Sequence, residues 1–349
     1  MTAFIKKSEW HHVVKWRLSI ALLLLAVFCV WLATDPTNRG PVRLIVYAFS
    51  TQEEVLTQDI FPAFEQDWET RTGRDLSIEG VFGPSATLAG QINLGAPADV
   101  ALLSHEQHVN WLKIGRRVKQ ETEPVVVCIS PMVIITRLGN PYLIEDFGDL
   151  SQPGLQLLHA DPRSSGAGTW GILAEYGSVW LETGDESTAI SEFSAIWSNV
   201  NLLSPNARAA LTLFELGVGD AFVTYERDAY LALDKHIELT VLIPTRTIVA
   251  HHMAVVIDDN VTLSERTAVQ DFINYLLSDA GQQAFVRYRQ RPATFETNDF
   301  PVLMEPFTVE DLGGWSQAYI LLVENLWQME IEPRLDLEPA IQLFDPGEE

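Results

Sequence analysis

Positive charge is scarce in this chain: 23 Lys and Arg residues stand against 47 Asp and Glu, for a formal net charge of −24. Lys6, Lys7, Lys15 and Arg17 crowd the N-terminus, so the remainder is more acidic still. Such a surface excludes nucleic acid and anionic membrane faces as partners. Cysteine is nearly missing. Cys29 lies in an N-terminal apolar run and Cys128 in a strand-like segment. A bridge between them would join that run to a folded core, so none is expected. There are no internal repeats and no low-complexity tract. No metal-ligand cluster is seen: His251 and His252 are adjacent in a strand-like run and point to opposite faces, with no matching His, Cys and Asp cluster nearby. Gly83-Pro84-Ser85-Ala86-Thr87 lacks the second glycine of a nucleophile elbow. With no nucleophile–base pair either, neither an enzyme nor a cofactor is expected.

What is present is size and apolar content. The 349 residues are 47% hydrophobic, enough for two lobes with separate cores. Leu18 to Ala33 reads LSIALLLLAVFCVWLA, with basic residues before it and Trp16 and Trp31 placed to sit at two interfaces. An uncleaved signal-anchor is expected over 18–34, with 1–17 in the cytoplasm and the rest outside. A cleaved signal lacks a small-x-small site, because Trp31 stands two before Ala33, and lipidation at Cys29 would want a small residue where Phe28 stands.

After a polar linker over 35–41, strand-like and helix-like segments alternate, which is the α/β class. Val42 to Phe49, Leu76 to Phe82 and Asp99 to Leu103 read as strands, with helices at Glu53 to Arg71 and at Ser85 to Leu94 before Gly95. Val125 to Thr136 is a long apolar run broken by Pro131. A second series begins at Leu155, with a helix from Ala167 to Leu181, a helix from Ala207 to Leu216 and a strand from Asp220 to Tyr225. Val269, Phe272, Ile273, Leu276 and Leu277 share one face of a later helix. The organisation expected is lobe 1 over 42–124 and 247–321, lobe 2 over 125–246, and an acidic tail over 322–349. The run Arg287 to Arg291 (RYRQR) reads as a solvated helix end that could touch a partner.

The informative positions lie between strand ends and helix starts. Ser50 and Thr51 follow the first strand, and Gly83, Pro84 and Ser85 the second. Ser164, Ser165 and Gly166 open one helix, and Asn206 and Ala207 another. A helix N-terminus presents free N–H groups and a partial positive charge. Several converging on one point make an anion site without a formal counter-charge. In open α/β sheets such junctions lie where ligands bind. The acidic far field is screened within about 8 Å at physiological salt, so short-range hydrogen bonds can outweigh it.

From about Val42 to Trp315 the chain resembles the sulfate/thiosulfate-binding proteins of ABC importers. The segments that carry the resemblance are Phe82 to Ser104 (FGPSATLAGQINLGAPADVALLS), Ala160 to Gly177 (ADPRSSGAGTWGILAEYG), Pro205 to Ala229 (PNARAALTLFELGVGDAFVTYERDA) and Gly313 to Trp315 (GGW). The resemblance implies a two-lobed periplasmic-binding-protein type II fold with a ligand cleft between lobes. It also implies an extracytoplasmic monomer that hands an oxyanion to ABC permease subunits. Residue by residue, Ser85 matches the hydroxyl of the family's GGSG turn, and Ser165, Gly166 and Ala167 match its SGG. Ala207 and Arg208 match its GAR segment, Tyr225 its cleft tryptophan, and Thr51 lies near its first loop.

There are departures. Pro84 removes one backbone donor, Ala167 replaces a glycine, a phenol replaces an indole, and the family's first-loop Asp has no clear counterpart. No Asp or Glu stands at the four junctions, and strand alternation should turn Glu226 away from Tyr225. This favours sulfate over phosphate, whose retained proton wants an acceptor; thiosulfate and molybdate pass the same test. A membrane-tethered oxyanion sensor on the same scaffold is the other reading. Arg163 is expected in surface pairing, and Trp170 and Trp315 in core and inter-lobe packing.

Overall fold

The residues described in the computed structural model are 40–335 and 337. The expected anchor over 18–34 and the end of the acidic tail lie outside them. Among the described residues no helix is long and apolar enough to cross a membrane.

β1 (Val42–Phe49) is buried on both faces from Val46 onward because it sits inside a sheet, with Arg43 exposed near its start. It pairs in parallel with β2 (Leu76–Gly83) on one side and β3 (Val100–Leu103) on the other. β3 pairs antiparallel with β9 (Arg246–Val256), and β9 with β4 (Val125–Arg137). A second sheet continues from β4 through β7 (Ala221–Tyr225) and β5 (Leu157–Ala160) to β6 (Val200–Ser204), with β8 (Leu239–Leu242) pairing antiparallel with the end of β4. Helices cover both faces of each sheet, as buried parallel strands require.

β4 and β9 are the connection between the halves. Val125 to Pro131 pairs with β9, whereas Met132 to Thr136 pairs with β7. The change of partner falls at Pro131, whose missing N–H ends the donor side of the ladder. Pro131 therefore does not break the strand, which runs through to Arg137, but marks where it passes from one half to the other. The halves have largely separate cores, joined at the β4 and β9 crossing and at Phe49 and Trp111, which pack against the second. One gathers Leu44, Val46, Phe64, Trp68 and Phe272, and another Trp170, Phe193, Trp197 and Trp327.

The sequence places the start of an acidic tail at 322. In the structure a helix beginning at Trp315 continues through wide π-type turns to Ile331, burying Leu322, Val323, Leu326 and Trp327. Its apolar face covers the helix Gly166–Thr183 and places the Trp327 ring 5.4 Å from that of Trp197. Acidic residues on its outer side conceal this face in composition alone. The RYRQR run is also more than a solvated end. Arg287 pairs with Asp59 at 2.7 Å in the first half, and Arg289 and Arg291 pair with Asp234 and Glu226 at 2.9 and 2.7 Å in the second.

Asp99, at the entry to β3, accepts a hydrogen bond from Ile45 N at 2.8 Å. Burial pushes its pKa up to about 6, despite that bond. A raised carboxyl pKa favours the protonated folded state, so stability is fullest below the ordinary carboxylate range and falls as pH rises toward 6. Asp99→Asn should therefore match the wild type near pH 4. By pH 7 it should exceed it by up to about 3 kcal/mol, from two pKa units at about 1.4 each. Urea melts of both proteins at the two pH values check this, and equal stability at pH 7 would reject it.

Candidate ligand-binding cleft

The four junctions meet. Thr51, Ser85, Ser165, Gly166, Ala167, Ala207 and Tyr225 line one small cavity between the halves, with Phe49, Ser50, Pro84 and Asn206. Helices Ser85–Asn93, Gly166–Thr183 and Ala207–Glu215 point their N-termini at it. The first-turn N–H groups of Gly166, Ala167 and Ala207 have no partner within their own helices.

The side chains divide by what they already hold. Asn206 caps its own helix, accepting from Ala209 N at 2.9 Å. The Thr51 hydroxyl donates to Asp228 at 3.3 Å. Ser85 Oγ does not cap; it accepts from Ser104 N at 3.0 Å and lies 2.8 Å from His108 Nδ1. The Tyr225 hydroxyl is buried, with the Ser104 hydroxyl as its polar neighbour. Burial, with Asp228 nearby, pushes it well above the usual phenol range, so it keeps its proton.

Arg208, expected as a ligand contact, is not in the cavity wall. Its guanidinium reaches across to Glu54 of the first half, with Nη2 to Oε2 at 2.6 Å. Arg227, fully buried, donates to the same carboxylate at 2.8 Å and to Asp228 at 2.9 Å. Burial alone would raise the Glu54 pKa, but the two arginines outweigh it and hold the carboxyl down at about 2. These two acids and two bases balance, so the wall beside the cavity carries no net charge. Arg163 pairs with Glu332, as a surface residue should. Glu226 does face away, but because it opens a helix rather than by strand alternation, and its carboxylate is held by Arg291.

Ser104 is the residue that the sequence passes over. It follows β3, as the other junctions follow their strands, but the segment after it carries no small-residue turn to draw notice. Its carbonyl accepts from Trp170 Nε1 of the second half at 3.0 Å and lies 3.1 Å from His252 Nδ1. A Cβ at Gly166 would come 1.5 Å from its Oγ. A further seam bond runs from Ala86 N to Ser164 O at 3.0 Å. The halves are therefore in direct contact around the cavity. Trp315 stacks on His105 at 4.4 Å and Trp170 bridges the seam, which places both in inter-lobe packing. Among the described residues no group of three metal-ligating side chains comes together.

A family model described as bacterial extracellular solute-binding protein matches residues 44–288. The sulfate-binding protein of Synechococcus elongatus is 28% identical over 290 residues, which is 80% of this chain and 83% of that one. The thiosulfate-binding protein of Pseudomonas aeruginosa is 28% identical over 273 residues, 73% of this chain and 81% of its own. The solved structure of the sulfate-binding protein SubI from Mycobacterium tuberculosis H37Rv superposes with a TM-score of 0.73 at 24% identity, covering 80% and 99% of the two chains.

Proposed function

This chain belongs to the bacterial extracellular solute-binding proteins, and from that premise we propose that it is the substrate-binding component of an ABC importer for a tetrahedral oxyanion, sulfate before thiosulfate or molybdate. One observation carries the choice of ligand: the cavity where the four junctions meet is lined by backbone donors, hydroxyls and apolar groups, and by no carboxylate. A fully ionised dianion can be held by donors alone. An oxyanion that keeps a proton needs an acceptor, and an unpaired carboxylate would be costly beside a buried dianion. Asp228, the acid nearest the wall through Thr51, is already held by Arg227.

Thr51, Ser85, Ser165, Gly166, Ala167, Ala207 and Tyr225 are the contacts in this reading, the first chiefly through its backbone. Arg208 serves instead as an inter-lobe clasp with Glu54. The halves open and close about β4 and β9, and the closed form docks on the permease. Residues 18–34 tether the monomer to the membrane. Isothermal titration of the full-length protein in detergent tests the ligand with sulfate, thiosulfate, molybdate and phosphate. Sulfate should bind with a dissociation constant of about 1 µM or below and phosphate much more weakly. Absence of heat with all four would reject the reading.

A further inference from the structure

The Ser85 hydroxyl occupies a position that the turn sequence alone does not explain. A hydroxyl has one proton and two lone pairs. One lone pair of Ser85 Oγ takes the Ser104 N–H at 3.0 Å. The second close neighbour is His108 Nδ1 at 2.8 Å, and the remaining tetrahedral direction is left to the cavity that Ser85 lines. What Ser85 offers a ligand is therefore decided by the imidazole. If His108 carries its proton on Nε2, then Nδ1 is an acceptor and takes the only hydroxyl proton. Ser85 then turns a lone pair toward the cavity. If the proton is on Nδ1, His108 fills the second lone pair and the hydroxyl proton is free to point outward.

The geometry points to His108 as the positioning residue of this site: its Nδ1–H tautomer donates to Ser85 Oγ and leaves the Ser85 proton for the bound oxyanion. This rests on the oxyanion reading above. An anion in the cavity repels a lone pair and attracts a proton, so binding selects the Nδ1–H tautomer from the neutral pair. The imidazole is suited to the task because it is enclosed: His108 is 1% exposed, its ring 3.8 Å from that of His105 and 4.7 Å from that of Trp111. Burial holds its pKa down at about 3, so it stays neutral and the choice is between tautomers rather than charge states. Ser104 then links the device to the seam. The same residue whose N–H fixes Ser85 has its carbonyl on Trp170 of the other half.

The test uses the full-length protein in detergent, with sulfate as the probe. Imidazole ¹⁵N spectra of the wild type should place the His108 proton on Nδ1 when sulfate is bound. His108→Leu leaves the Ser85 proton free but no longer held toward the ligand, so sulfate binding should weaken up to about 10-fold, the cost of the one neutral hydrogen bond that fixes the hydroxyl. His108→Asn, whose amide N–H can stand near the Nδ1 position, should stay within about 3-fold of wild type on the same scale. In the Ser85→Ala background, His108→Leu should add no further loss, because its effect runs through the hydroxyl. An Nε2–H tautomer in the sulfate-bound protein overturns the inference, as does a His108→Leu penalty that persists without the Ser85 hydroxyl. The spectra need only the wild type, so a misfolded variant does not protect the idea. If wild-type protein binds none of the oxyanions, the functional reading itself falls. If it binds sulfate with the proton on Nε2, only the role of His108 does.

Discussion

Gly166→Ala should reduce sulfate affinity at least about 100-fold, or 2.7 kcal/mol. The added Cβ would lie 1.5 Å from Ser104 Oγ and 2.4 Å from Ser104 Cβ. A hydroxyl could rotate away, but the second distance involves an atom fixed to the main chain. That main chain is held by Ser85 on one side and Trp170 on the other. The strain can be released only by parting the halves, and parting them disperses the N–H groups that converge on the ligand. Ser104→Gly in the same chain removes both offending atoms and should restore much of the affinity. Titration calorimetry of the single and double variants checks this. Near-wild-type binding by Gly166→Ala alone would mean that the seam is not closed when the ligand is held.

Arg227→Met should lower the unfolding free energy by about 3–5 kcal/mol, the usual cost of removing one partner from a buried ion pair. Arg227 is fully buried and holds Asp228, itself 2% exposed, while sharing Glu54 with Arg208. Without it Asp228 keeps the Thr51 hydroxyl and only a share of the Arg208 charge, which already pairs with Glu54. The variant should therefore lose sulfate affinity as well as stability. Glu54→Gln should cost far less, since that carboxylate is partly solvated and Arg208 can turn to water. Urea melts at neutral pH separate the two, and equal losses would show that the cost lies in the pairing with Glu54 rather than in a bared Asp228.

The turns that line the cavity were readable in sequence, because strand ends and helix starts are announced by local signals. A strand that ends in Ser, Gly or Pro and gives way to an amphipathic run places an N–H-rich turn at a strand end. Seven of the eight residues expected at the site line one cavity. Arg208 is the exception. A guanidinium beside a helix start looks the same in sequence whether it faces a ligand or a carboxylate, and Glu54, 154 positions away, decides the matter. Ser104, His108 and Arg227 were silent for related reasons. Their roles depend on what the fold brings against them, and in sequence a histidine in a helix or the triplet Glu226-Arg227-Asp228 resembles an ordinary solvated face. The acidic C-terminal helix misled in the opposite direction, because its charges are visible in composition and its buried face only in the packing.

Periodicity, turn residues and the order of motifs were enough to determine the α/β class, the strand ends and the donors offered there, since each depends on neighbours within a few positions. Tertiary structure alone decided that those ends coincide in one cavity and that the arginines beside it are spent on Glu54 and Asp228. It alone set Ser85 between Ser104 and an imidazole. Charges and ring nitrogens act across space on whatever partner is delivered to them, and no local pattern in a chain records that delivery.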